Sequence, residues 1–152
     1  MDDMVFISTE SNNVLSNSII RAGDVLTVPS GYPGTTCVVP DHLDGANCID
    51  LIISRPVPCM TPDFLSLWIN LPFRKDQVLR VQGCLPQQHF KVGEMKSLLV
   101  TRPDKAVQSK TVYRVANVDG RVKRENRNGD KLGLLKSGMM SDLLSGRIHV
   151  HT

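Results

Sequence analysis

From Val115 to Leu143 apolar side chains recur at alternating steps of three and four, and this spacing constrains the chain more than any other feature. Val115, Val122 and Leu143 share one heptad register with Gly129 and Lys136, while Val118, Leu132 and Met139 share the other with Glu125. Such a register specifies a helix with an apolar stripe. Its centre is poor, because Glu125, Asn126, Asn128 and Gly129 put polar or helix-weakening residues where a seam wants apolar ones. The expectation is two helical stretches, about Gln108 to Glu125 and Asp130 to Leu144, bent or frayed between. An exposed helix of this kind has little core to bury against within its own chain. The seam therefore implies either a partner docked on Val115, Val118, Val122, Leu132, Leu135, Met139 and Leu143, or a helix folded back on the rest of the chain.

The hundred residues before it have a different rhythm. VFIST, RAGDVLTV, TTCVVP and ANCIDLIIS are β-rich runs punctuated by turn signals at SGYPG and DHLDG, which suggests a small, mostly antiparallel sheet. Ala46 to Ser54 is nearly all apolar after Asp50 and reads as a central strand covered on both faces. Thr61 as N-cap, Pro62 at the first helical position and Asp63 in the first turn predict a helix carrying Phe64, Leu65, Trp68 and Ile69 on one side. Leu71-Pro72 interrupts it, and Phe73 to Gln82 reads as a second helix, ended by Gly83. Val92 to Leu98 follows as one or two helical turns leading into a short strand, LLVT, closed by Arg102-Pro103. The expected fold class is α+β: a small antiparallel sheet with flanking helices over residues 1–103, then an extended helical segment and tail over 104–152.

A chain of 152 residues with 41% hydrophobic content can bury a core of its own. No apolar run reaches membrane-spanning length and the first residues hold no secretion signal, so the expected location is the cytoplasm. Cys37, Cys48, Cys59 and Cys84 lie far apart with no C-x-x-C pair, as suits reduced thiols better than a zinc ribbon or redox motif. Charge is divided unequally. Residues 1–103 hold 8 basic and 10 acidic side chains, and residues 104–152 hold 10 basic and 5 acidic. A cationic last third favours nucleic acid or an acidic protein surface, and a solvated helix face would also produce it.

Catalysis needs a convergent set of residues, and the sequence offers none: no phosphate-cradling glycine loop, nucleophile elbow, helical metal-ligand pair or paired acids. SGYPG lies between two strands and reads first as a plain β-turn. Ser30, Gly31, Tyr32, Gly34 and Thr35 nevertheless place hydroxyls, an aromatic ring and free backbone groups at one sheet end, as a loop that reads bases or phosphates does. Gln87, Gln88 and His89 form a second polar cluster, since glutamine amides can bond an adenine edge, although such loop residues are usually just solvated. His149 and His151 lack a third ligand, so neither a metal nor any other cofactor is expected.

Taken together, RAGDVLTV, SGYPGTTCVVP, GANCIDLIISRP, FLSLWINLPFRKDQVL, GCLPQQHFKVGEMKSLLV and KLGLLKSGMMSDLLSGRIHV resemble, in order and spacing, the specificity (S) subunit of type I restriction-modification enzymes. The resemblance runs from about Val5 to Val150. It implies a non-catalytic recognition subunit: a target recognition domain reads one half of a bipartite site in double-stranded DNA, and long helices act as spacer and docking surface. A modification subunit using S-adenosylmethionine methylates, and an ATP-driven restriction subunit, reached indirectly, cuts.

On this resemblance Met1 to Pro103 corresponds to the later part of a recognition domain and Val107 to Gly146 to the distal spacer helix. The DNA contacts it implies are Ser30, Gly31, Tyr32, Gly34, Thr35, Lys75, Gln87, Gln88, His89 and Lys91, with Lys75 and Lys91 beside phosphates. The chain is expected to begin inside a domain and to hold about half of a complete subunit. The family's proline-rich hinge ending in Glu-Gln is replaced by TRPDKAVQSK, and the seam is interrupted at NRNGD. The chain is then expected to be a truncated gene product, a half-subunit that dimerises to rebuild two-fold symmetry, or a remnant with no recognition activity, and the competing function is an interaction module that docks a partner through its C-terminal helix without reading DNA.

Overall fold

A computed structural model of the chain describes residues 5–71 and 91–148. Its contacts divide it into two compact units, Met1–Val112 and Tyr113–Thr152.

In the first unit, helix α1 (Thr9–Val14) is capped by the Ser8 hydroxyl, which accepts from the Ser11 amide. It precedes a three-stranded antiparallel sheet of β1 (Val25–Thr27), β2 (Thr36–Val38) and β3 (Ile52–Ser54), in the order β2-β1-β3. Alternation places the two faces of β1 in different clusters. Val25 packs with Phe64, Trp68 and Ile69 of helix α2 (Pro62–Ile69), while Leu26 packs with Ile20 and Val39 on the other side. Full burial of each large side chain in these clusters contributes about 1.5–3 kcal/mol.

The strand covered on both faces is thus β1, which corrects the expectation that Ala46 to Ser54 forms the central strand. Only Ile52–Ser54 of that run joins the sheet, and it does so at an edge. Asp50 interrupts the run with φ 56, a left-handed conformation that an extended strand cannot contain. Before it, Asn47 bridges to Ile19, and its side-chain amide donates to Asn12 Oδ1 and the Leu15 carbonyl, each at 3.1 Å. Those residues hold the segment after α1 in place.

Two more expected strands are absent. VFIST is irregular until Thr9 opens α1, and Val5 and Phe6 are exposed; with no neighbouring strand to supply ladder bonds, β propensity has nothing to act on. Helix α3 (Val92–Ser97) forms as expected, but Leu98–Thr101 is irregular. Leu98 and Val100 pack against the α2 cluster, and the Thr101 hydroxyl accepts from the Trp68 indole at 3.0 Å. The apolar run is used for side-chain packing without strand pairing.

Helix α2 forms where expected, with Thr61 extended at the N-cap but making no side-chain capping bond, Pro62 at the first helical position, and Phe64, Trp68 and Ile69 buried. Helix α4 (Lys105–Leu144) runs 40 residues without interruption. The break expected at NRNGD does not occur. No proline lies between Asp104 and Leu144, and the asparagines and Gly129 each cost about 0.5–1 kcal/mol, too little to stop a cooperative helix with good formers on both sides. The expected helix at Phe73 to Gln82 lies outside the described residues, as do Cys84, His149 and His151.

Candidate functional site

Ser30, Gly31, Tyr32, Gly34 and Thr35 come together in the loop that joins β1 to β2. The loop is closed by its own backbone: Val28 N–H donates to the Thr35 carbonyl at 2.9 Å, Gly34 N–H to the Val28 carbonyl at 3.1 Å, and Thr35 N–H to the Tyr32 carbonyl at 3.2 Å. Gly31 and Gly34 adopt φ 78 and φ 80, where a Cβ would be strained. The consequence is a compact loop that presents its middle residue outward. Tyr32 is 81% exposed, Ser30 and Thr35 are exposed, and Gly34 is buried beneath them.

The base of this loop is tied to α2 by a buried polar clamp that the sequence did not disclose. Thr36 N–H donates to Asn70 Oδ1 at 2.9 Å, and Asn70 Nδ2 returns a bond to the Thr36 carbonyl at 3.0 Å. The Thr36 hydroxyl donates to the Ser66 carbonyl at 3.1 Å and lies 2.9 Å from the Ser66 hydroxyl. With β2 fixed in this way, Tyr32 is carried on a rigid support, which is what a recognition side chain requires. Asn70 directly after an apolar helix was the available signal.

Lys91 is exposed immediately before α3, and its backbone N–H donates to Glu94 Oε2 at 2.9 Å. Lys75, Gln87, Gln88 and His89 lie outside the described residues.

On α4, Val118, Val122, Leu132, Leu135, Met139 and Leu143 are exposed and Val115 is half-buried. Leu134, Met140 and Leu144, which the heptad reading omits, are exposed too. At the start of the helix Gln108 is fully buried with its amide saturated. Its Oε1 accepts from Thr61 N–H at 2.8 Å, and its Nε2 donates to the carbonyls of Cys59 and Pro103 at 2.9 and 2.8 Å. One side chain thus ties the first turns of α4 to the entry of α2. Sequence reasoning missed it, because a glutamine in a polar helix looks like a surface residue.

Among the described residues no group of three His, Cys, Asp or Glu side chains is placed to hold a metal ion. Burial, and secondarily the carboxylate of Asp24, pushes the Cys48 thiol above its ordinary range, which keeps it protonated at neutral pH. No described helix is long and apolar enough to cross a membrane.

This fold is that of the HsdS subunit from Thermoanaerobacter tengcongensis, whose crystal structure matches with a TM-score of 0.66 at 22% identity. The match covers 80% of this chain and 32% of the HsdS chain, so this chain spans about a third of that protein's length. No protein-family profile matches the sequence, and no curated protein does.

Proposed function

We propose that the chain is a non-catalytic specificity component of a type I restriction-modification system, reading one half of a bipartite DNA site and docking the methyltransferase subunit. The observation that carries this reading is the extent of the HsdS likeness, 80% of the chain at a TM-score of 0.66. Residues 1–103 serve as the recognition part. The Ser30–Thr35 loop, with Lys91 and the polar residues Lys75, Gln87, Gln88 and His89, meets base edges and phosphates. Residues 104–152 serve as spacer and docking segment. There the seam of Val115, Val118, Val122, Leu132, Leu135, Met139 and Leu143 pairs with apolar helix surface on the methyltransferase, in the manner of a coiled coil.

The test is affinity capture from the source cell, with the chain as bait. Recovery of a DNA methyltransferase subunit by the wild type, and its loss with Val122→Asp/Leu132→Asp, is the expected result, since charge in a docked apolar seam stays unpaired. No recovery by the wild type, or equal recovery by both, contradicts the proposal. A second reading, a module that docks a partner without reading DNA, is favoured by the seam's separation in sequence from the loop. It predicts that Tyr32→Ala changes nothing in any DNA-dependent assay.

A further inference from the structure

We propose that the cationic side of α4, from Arg114 to Lys131, is a second DNA-binding surface that grips the phosphate backbone without reading sequence. The inference rests on the reading of the chain as a DNA-specificity component, and adds to it a surface outside the loop. Arg114, Arg121, Lys123, Arg124, Arg127 and Lys131 are all exposed. None has a carboxylate partner: the ion pairs among the described residues are Arg55 with Asp24 and Arg147 with Asp142.

At about 3.6 residues per turn, Arg114, Arg121, Arg124, Arg127 and Lys131 fall within roughly 140° of arc, with Lys123 at its border. Asp119 falls on the opposite side, and Asp130 lies about 60° beyond Arg127, next to Lys123. Glu125 stands between this arc and the apolar seam, where its carboxylate accepts from Asn128 Nδ2 at 3.4 Å. A helix face that merely meets water gains from acids placed three or four residues from its bases. Here three such steps join opposite charges, Asp119 to Lys123, Arg121 to Glu125 and Arg127 to Asp130, without closing an ion pair among the described residues, and four join like charges: Arg121 to Arg124, Arg124 to Arg127, Lys123 to Arg127, and Arg127 to Lys131. Such pairs repel in the isolated helix, and a polyanion relieves the repulsion.

Several features favour duplex DNA over an acidic protein. Four of the six cations are arginines, whose planar forks suit phosphate oxygens. The residues between them are small and polar: Asn117 and Asn128 add amide donors, and Gly120 leaves open space where a side chain would stand. Apolar residues enter this arc at its ends, as Tyr113, Leu132 and Leu135. Arg114 to Lys131 spans about 25 Å at roughly 1.5 Å per residue, alongside about seven base pairs of a duplex carrying one negative charge per about 1.7 Å of axis. The apolar positions Val115, Val118 and Val122 lie on another side of the helix. A protein docked there leaves the cations free to meet DNA, and Leu132, Leu135 and Met139, which continue the seam on the cationic side, follow Lys131 along the helix.

The experiment compares the full wild-type chain with Arg121→Gln/Arg124→Gln/Arg127→Gln, titrating each onto a short duplex of arbitrary sequence between about 50 and 200 mM salt. Circular dichroism verifies that the variant keeps its helix. The expected result is weaker binding by the variant, equally for all sequences, with the slope of log K against log salt shallower by about 2.7, as three lost phosphate contacts require. Equal slopes would overturn the inference and leave the loop as the DNA contact. Displacement of the duplex by polyglutamate at equal charge would overturn it in favour of an acidic protein. A wild-type chain that binds no duplex overturns it as well, and the proposed function then stands or falls separately on methyltransferase capture.

Discussion

Gln108 is the residue on which the local architecture depends most heavily. A buried glutamine amide is stable only when both of its ends are bonded, and here one acceptor and two donor bonds satisfy it with backbone groups of Cys59, Thr61 and Pro103. Gln108→Ala leaves one N–H and two carbonyls without partners and is expected to cost about 3 kcal/mol, read as a lower denaturant midpoint. Gln108→Glu keeps the acceptor facing Thr61 but turns an oxygen toward two carbonyls. Its carboxyl is therefore harder to ionise in the folded state, and the destabilisation should grow as pH rises above the ordinary carboxylate range and shrink as pH falls below it. Equal stability of wild type and Gln108→Ala would contradict the anchoring role.

At the scale of elements, α4 is a 40-residue helix that tolerates poor residues instead of breaking at them. A Cβ on Gly129 meets nothing within 4 Å, so Gly129→Ala should raise helicity and stability by about 1 kcal/mol in thermal melts followed by circular dichroism. Lower helicity would mean that the helix needs glycine there. The same helix illustrates what a sequence can disclose. Its helical character, the Thr61-Pro62 entry to α2 and the SGYPG loop were legible because each depends on local chemistry: periodicity, the fixed φ of Pro62 and turn geometry. The central strand was not legible from Ala46 to Ser54, since one left-handed residue, Asp50, divides that run, and β1 owes its central place to neighbours distant in sequence. VFIST and LLVT failed likewise, for β pairing needs a partner strand that composition does not reveal. In the candidate site, the loop could be read but its support could not. Thr36, Ser66 and Asn70 hold it through bonds spanning about thirty residues of chain.

For the whole molecule, the chain spans about a third of the HsdS chain it resembles. Under the proposed function this stretch meets one half of a bipartite site, and the other half is met by a second recognition part. Under the proposed function the Tyr32 loop chooses sequence, the seam of α4 docks protein, and its arginines supply the salt-sensitive affinity. The most direct test of the central claim is to co-express the chain with a methyltransferase subunit from the source cell in a host with unmodified DNA, and to map methylated adenines across the genome. A methylated motif that appears only with the chain, and that Tyr32→Ala relaxes or abolishes, is the predicted result. A methylation pattern identical with and without the chain would contradict it.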